Sequence, residues 1–154
     1  MDLNDFELNT KESSKVGLTL KTNIFTFEGL DKSIVKLNLT CDSTKLVLNG
    51  NSKLEALVYA SKIAADLYQR SDAIIEGNAD VVFIRTDNNA QFMGKSLAVK
   101  TGLVAAEISS DITLEVIDAI ILEASGNSSI NLYGNPKIIV NRLTDTSKTQ
   151  KKVK

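Results

Sequence analysis

The stretch LEASGNSSINLYGNPKIIV, residues 122–140, contains an alternating apolar run between two Gly-Asn turns, and the second turn ends at Pro136, the only proline in the chain. Short alternating runs broken by Gly, Asn, Asp and Ser also occur at VKLNLT, KLVLNG, DVVFIRT and ITLEVI. Alternation with a period of two residues is the signal of β-strands. Gly is followed by Asn at Gly50, Gly77, Gly126 and Gly134. The sequence therefore predicts a mostly β protein built as a repeated coil.

The four glycines and Pro136 are predicted to be structural corners of this coil. Gly and Asn both tolerate positive φ values, so the chain can turn sharply at these pairs without a long loop. Pro136 is expected to fix the backbone after the last corner. Tyr133, beside that corner, is predicted to cover the end of the core. It is also the candidate for a ligand contact, because an aromatic ring can stack on a sugar.

Aligning the corners gives the length of the repeat. Cys41, Tyr59 and Gly77 lie at equal 18-residue intervals, and longer intervals then lead to Gly102 and Gly126. The positions four and six residues after these corners are apolar, with Lys45 as an exception. A repeat of roughly 18–25 residues has the length of one turn of a parallel β-solenoid, whose coils bury their inward side chains by stacking on their neighbours. The predicted fold is an all-β, β-helix-like parallel solenoid of short coils.

The segment KLEALVYASKIAADLYQR, residues 53–70, is rich in helix formers at near-helical spacing. No Gly or Pro ends it as a helix, and as a strand it keeps its apolar positions aligned with those of the neighbouring coils. We expect a strand, because stacking between coils can override a weak helix propensity.

One β-solenoid domain is predicted over residues 15–141, since no linker or shift of composition divides them. Residues 1–14 are expected to form a polar N-terminal segment, and residues 142–154 a basic, flexible tail. The end coils of a solenoid expose strand edges and apolar side chains, which promote aggregation. We expect an N-terminal strand cap made by residues 16–29, or association with a second copy as a homo-oligomer through the solenoid ends.

Composition excludes several classes of function. The 18 Lys and Arg residues are balanced by 19 Asp and Glu residues, so the chain has no broad charge for binding nucleic acid or an anionic membrane. No apolar run approaches the roughly 18 residues that span a bilayer. One Cys and no His exclude an intramolecular disulfide and the usual zinc sites. Calcium-binding motifs and phosphate-binding loops are absent as well, so we predict no metal and no cofactor.

Catalysis is not expected either. Without His, neither a Ser-His-Asp nor a Cys-His arrangement can form, so Cys41 has no common base to activate it. A glycosidase would need two carboxylates at a defined separation. The acidic candidates are scattered along the chain at Asp66, Asp80, Glu107 and Glu123. We therefore predict no catalytic residue.

The stretch LEASGNSSINLYGNP resembles the last coil of the head GIN domain family, the auto-transporter adhesins of Bacteroidetes. Residues 124–129, ASGNSS, are similar to the family's apolar-Ser-Gly-x-Ser run, and residues 133–136, YGNP, are similar to the Tyr-, Gly- and Pro-containing turn that follows. Weaker similarity extends over residues 35–139, with departures at Cys41-Asp42 and Tyr59-Ala60. The resemblance implies a repetitive β-solenoid that is exported to the cell envelope or surface, with no catalytic residue to carry over.

The predicted function is a non-catalytic, adhesin-like module of the cell envelope or surface, which binds or supports a protein or glycan partner. One alternative is a carbohydrate-active enzyme on the same scaffold, and convergence of the acidic residues in one groove would favour it. Another is an intracellular structural or assembly protein. Residues 1–14 are acidic and polar, where a secretory signal peptide would be basic and then apolar. A native start at Met1 would therefore favour the intracellular alternative.

Overall fold

The structure, a computed structural model, describes residues 2–10, 15–143 and 148–152 and forms a parallel β-solenoid of about seven turns. Neighbouring strands are parallel, in the order β1 to β8 along the chain, with β10 beside β8 and β9 beside β7. The predicted all-β solenoid is thus confirmed. The strands are β1 (Asp2–Thr10), β2 (Lys15–Gly29), β3 (Ile34–Leu48), β4 (Lys53–Leu67), β5 (Asp72–Thr86), β6 (Gln91–Ala106), β7 (Asp111–Ala124), β8 (Ser129–Gly134), β9 (Lys137–Leu143) and β10 (Lys148–Lys152).

Each full coil is one long strand that bends near its middle. In β3 every second residue is buried as far as Cys41, and the next buried residue is Thr44, three positions later. The bend divides each coil into a leading half, residues 34–40 in β3, and a trailing half, residues 43–48. Stacked leading halves, with β8 and β10, form the leading sheet; stacked trailing halves, with β1 and β9, form the trailing sheet. Buried side chains from both halves belong to one hydrophobic core.

The strands stack in a 19-residue register, which corrects the predicted 18-residue register. Residues 15, 34, 53, 72 and 91 are paired in succession, and the column then continues through residues 111 and 129. Cys41 pairs with Ala60 rather than Tyr59, and Gly77 pairs with Val58. Gly102 lies inside β6, away from any corner. Because side chains alternate along a strand, a one-residue slip exchanges buried and exposed positions.

Residues 53–67 form strand β4, as we expected from the stacking argument. Its inward residues Leu54, Val58, Ile63 and Leu67 are fully buried. Their burial between β3 and β5 outweighs a helix propensity that differs by only about 0–0.7 kcal/mol among ordinary residues. No helix is present in the described part of the chain.

Coils are joined by four-residue corners in which two consecutive residues have positive φ. Glycine is not required there, since Gln69 and even the β-branched Ile108 occupy the position that Gly50 and Gly126 hold elsewhere. The six corners of this type within the described residues contain Asp31-Lys32, Gly50-Asn51, Gln69-Arg70, Asn88-Asn89, Ile108-Ser109 and Gly126-Asn127.

Gly77 and Gly134 have a different role, because they lie at or just before the bends between half-coils and not at the corners between coils. Their φ values are 121° and 92°. A Cβ added to Gly77 would collide with the Val58 carbonyl oxygen, and one added to Gly134 would collide with the Val116 carbonyl oxygen. Both glycines therefore permit close approach to the preceding coil. Pro136 follows Gly134 and lies in the interruption between β8 and β9.

A buried serine closes almost every corner. Its hydroxyl donates a hydrogen bond of 2.6–2.7 Å to the carbonyl oxygen three residues earlier. The corner that ends in Ala90 lacks this hydroxyl, and there the Thr86 hydroxyl donates to Ser110 Oγ of the next coil at 2.9 Å. These serines are Ser33, Ser52, Ser71, Ser110 and Ser128. Ser33, Ser52 and Ser71 are each 19 residues apart, and this spacing is the feature of the sequence that indicates the correct register.

The solenoid ends differ from the predicted cap. Residues 16–29 belong to β2, a regular coil that pairs with β3 along both halves. The outermost strand is β1, which covers only the trailing half of β2. Strand β1 lies in the segment predicted to be polar, and β10 lies in the segment predicted to be a basic, flexible tail. Residues 1, 11–14, 144–147, 153 and 154 of these segments are outside the described residues. The domain limits at 15 and 141 stay a prediction.

Gly126→Val should lower the free energy of unfolding by about 1–3 kcal/mol, because a β-branched residue is disfavoured at φ 63°. Gly126→Asn should cost clearly less, since Asn88 occupies the same corner position at φ 52°. Both variants place a Cβ 2.9 Å from the Ile108 nitrogen, so the comparison separates backbone strain from contact. Denaturant melts measure the difference, with the exposed Lys45→Val as control. Equal midpoints for Gly126→Val and Lys45→Val would show that the corner is not constrained.

Ser52→Ala should lower the free energy of unfolding by about 0.5–1.5 kcal/mol, the usual net value of one hydrogen bond. The variant removes the donor to the Asn49 carbonyl oxygen, at 2.7 Å, from a residue that is only 1% exposed. Ser61→Ala, at an exposed position of β4, is the matched control and should leave the melt unchanged. If both variants melt alike, the serine hydroxyls do not stabilise the corners.

Candidate functional site

A groove runs across strands β2 to β5 on the outer face of the leading sheet. Its volume is about 630 Å³. One end of the groove is open at Gly17. A Cβ added at this position would have no atom within 4 Å, so the space beside this residue is empty. Strand register arranges its outward residues in two rows. The rows are Gly17, Lys36, Glu55 and Ile74, and Thr19, Asn38, Leu57 and Glu76.

A second cavity of about 220 Å³ continues this groove towards the bend of each coil. The two cavities share Thr19, Asn38 and Leu57, and the second also contacts Thr40 and Tyr59. Tyr59 is 45% exposed. We call the two cavities together the leading groove, and it ends on an exposed aromatic ring.

The charges of the leading groove nearly cancel. Glu55 lies 3.9 Å from both Lys36 Nζ and Lys53 Nζ. Since the three side chains are 43–73% exposed, these ion pairs contribute little to stability and remain available to a ligand. Glu76 and Lys21 add one further charge of each sign. The groove therefore suits a polar ligand without a large net charge.

Tyr133, the ligand candidate proposed from the sequence, is mostly covered. It is 9% exposed, and Lys95 Nζ lies 5.2 Å from the ring centroid in a cation–π contact. The more exposed ring is Tyr59, which the 18-residue register had assigned to a corner. In the 19-residue register Tyr59 alternates with the buried Val58 and faces outward. Correct alignment of the buried serines would have identified it.

The trailing sheet has a more apolar groove of about 390 Å³. Phe83 and Leu103 lie in adjacent coils and are 38% and 41% exposed. Lys62 Nζ lies 5.0 Å from the centre of the Phe83 ring. Arg85, also in this groove, is paired with Glu107 at 3.5 Å, and this carboxylate raises the pKa of the guanidinium. The side chains of this face are thus engaged mainly with each other.

The four acidic candidates do not form a catalytic pair. Asp66 and Glu123 line the same trailing groove, but β4 and β7 are separated by three strand spacings, or about 14 Å. Glycosidase carboxylates lie only about 5–9.5 Å apart. Asp80 is paired with Lys100 at 3.4 Å, and Glu107 with Arg85. The convergence that would favour an enzyme is therefore not found among these acids.

Cys41 is buried at the bend of β3, at 8% exposure. Burial, with a smaller effect from Asp42, raises the pKa of the thiol to about 11. A protonated thiol is a poor nucleophile at neutral pH. Burial likewise raises the carboxyl pKa of Asp72, partly offset by Lys53, and that of Asp111.

The part of the chain that the structure describes contains no group of three or more His, Cys, Asp or Glu residues able to hold a metal ion. Within the same residues, no helix has the length and hydropathy that crossing a bilayer requires.

Comparison of the chain with known proteins shows the family to which its sequence belongs. Residues 26–136 match the model of the family described as "Putative auto-transporter adhesin, head GIN domain". The match begins in the trailing half of β2, contains β3 to β8 and ends at Pro136, so it includes most of the leading groove. No curated protein and no solved structure matches the chain. The family match covers most of the sequence and agrees with the resemblance of the last coil: the chain belongs to the head GIN domain family of auto-transporter adhesins.

Proposed function

We propose that this chain is a non-catalytic module of the cell surface that binds a glycan in the leading groove. The observation that carries the proposal is the exposed Tyr59 ring at the end of a groove whose walls present hydroxyl, amide and charged side chains. The family description, an auto-transporter adhesin, supports both the surface location and a binding role.

The groove offers the two kinds of contact that a sugar needs. A pyranose has an apolar C–H face, which an aromatic ring can cover, and a rim of hydroxyls that donate and accept hydrogen bonds. Tyr59 supplies the ring. Asn38 supplies both a donor and an acceptor, and Thr19 and Thr40 supply hydroxyls from the neighbouring strands.

Rigid strands hold these groups in place before a ligand arrives. Thr19 and Asn38 are direct neighbours in the β2–β3 register, and Thr40 and Tyr59 are direct neighbours in the β3–β4 register. Adjacent strands lie about 4.7–4.9 Å apart, so the polar groups form a fixed array on a scale of about one sugar ring. Preorganisation of this kind reduces the entropy lost on binding.

The alternatives have less support. A carbohydrate-active enzyme would need a close carboxylate pair or an activated nucleophile, whereas Asp66 and Glu123 are far apart and the Cys41 thiol is buried and protonated. An intracellular assembly protein would not explain membership of an adhesin family.

Tyr59→Ala should weaken binding to the best glycan of an array screen by about 2- to 10-fold, because an aromatic contact contributes about 0.5–1.5 kcal/mol. Tyr59→Phe should retain most of the affinity, since the ring remains. Tyr68→Ala, a change of the same residue type outside the groove, is the control. Titration calorimetry measures each affinity. A wild-type chain that binds no glycan, or Tyr59→Ala binding like wild type, would contradict the proposal.

The raised pKa of Cys41 predicts a loss of stability at high pH. The thiol ionises at about 9 in the unfolded chain and at about 11 in the folded one, so folding disfavours the thiolate. The free energy of unfolding should therefore fall as the pH rises from about 9 to about 11. Subtracting the profile of Cys41→Ala isolates this effect from the titration of Lys and Tyr. Identical pH profiles for the two proteins would mean that the thiol is not desolvated. Cys41→Ala should leave glycan binding unchanged.

A further inference from the structure

The two ends of the solenoid are uneven, because at each end one sheet extends one strand further than the other. We call this difference a step, and the steps at the two ends are complementary. At the N-terminal end, β1 pairs with the trailing half of β2, so among the described residues the leading half of β2 has no strand on its outer side. At the C-terminal end the arrangement is reversed. There β10 covers the leading sheet at β8, while β9 is the outermost described strand of the trailing sheet. Each end therefore projects by one strand on one half of the coil.

We propose that the chain associates head to tail with a second copy, and that the two steps interlock. Strand β1 of one copy then lies on β9 of the other, in the same layer as β10. The leading half of β2 lies on β10. Both contacts require the same displacement along the solenoid axis, one strand spacing, so they form together. The joint restores one complete coil, shared between two chains.

Apolar residues at the two ends lie in matching columns. Successive strand pairs connect the position of Phe6 to that of Ile138, and the position of Leu8 to that of Val140. Phe6 and Leu8 are only partly buried against the core, and Ile138 and Val140 are 38% and 50% exposed. These residues extend the inward columns of the core to the two open ends. Stacking of β1 on β9 would bury them against each other, as every internal coil does.

Charge selects the head-to-tail orientation. Strand β1 contains Asp2, Asp5 and Glu7 with no basic residue, and β9 contains Lys137 and Arg142 with no acidic residue. The column of Asp5 ends at Lys137, so opposite charges become neighbours across the joint. Joining two identical ends would instead bring like charges together. In the leading half Lys15 shares a column with Lys148, and Lys21 shares one with Lys152, so the charges there do not favour the joint. The specificity therefore comes from the trailing half.

Such a joint uses different surfaces on its two partners, so it does not close on itself in a straight stack. Heterologous contacts of this kind propagate into open chains of subunits. The expected assembly is a filament in which the coils of successive copies continue one another. The leading half of β2 takes part in the joint through its strand edge, and its outward residues Gly17 and Thr19 also line the leading groove. The inference is nevertheless tested apart from glycan binding, because Asp5, Lys137 and Val140 lie outside the groove.

The mass of the full chain, measured by analytical ultracentrifugation over increasing concentration, tests the proposal. Wild type should grow from the monomer towards dimers and longer species as the concentration rises. Val140→Asp should weaken association at least about 10-fold, because it puts a carboxylate into the joint. Leu103→Asp, an equally large change on the outer face of the trailing sheet, should associate like wild type. Monomeric wild type, or loss of association in Leu103→Asp but not in Val140→Asp, would overturn the proposal.

A charge exchange tests which ends meet. Asp5→Lys and Lys137→Asp should each weaken association at low salt, since each variant places like charges across the joint. A mixture of the two variants, and the double variant Asp5→Lys/Lys137→Asp, should recover the wild-type association. Failure of both the mixture and the double variant to recover it, with melts that show folded proteins, would exclude the head-to-tail joint.

Discussion

Every coil of this protein can bury its inward side chains only by stacking on the coil before and the coil after it, and the whole structure depends on that constraint. From β2 to β6 the coil length stays constant, which keeps Leu37, Ala56 and Ile75 in one buried column. The same register fixes the outward columns. Successive side chains of a strand point alternately into the core and out to solvent. The register that packs the core therefore also determines which side chains a ligand can contact.

The corners maintain the register although their sequences differ. Two residues of positive φ reverse the chain, and a buried serine hydroxyl closes the turn onto the carbonyl oxygen three residues earlier. Where Ala90 interrupts the serine column, Thr86 and Ser110 restore a buried hydrogen bond from a neighbouring position. The geometry is thus specified by backbone and hydroxyl groups more than by glycine. Gln69 and Ile108 can consequently occupy corner positions at positive φ.

The outer face and the ends of the solenoid have separate roles in this scheme. Rigid strands bring Thr19, Asn38 and Tyr59 from three coils into one groove, which is the basis of the proposed glycan binding. The half-coil steps at β1 and β9 are instead the basis of the proposed head-to-tail association. If both proposals hold, a filament would repeat the groove at regular intervals along one side. Repeated weak sites on one assembly bind a multivalent surface far more strongly than a single site does.

Alternation along the strands, the Gly-Asn pairs and the last coil were sufficient to predict an all-β solenoid, strand β4 and the family, because these signals are local or lie in one short motif. The coil register was not predictable in the same way. Corners such as Gln69-Arg70 carry no Gly or Pro, so the chain has no clear mark where one coil ends. Only stacking decided the register, which buried Cys41 and left Tyr59 exposed. It also left Asp66 and Glu123 three strands apart, and made residues 16–29 a regular coil covered on one half by β1. These features depend on contacts between coils, so they cannot be predicted from the sequence pattern within a single coil.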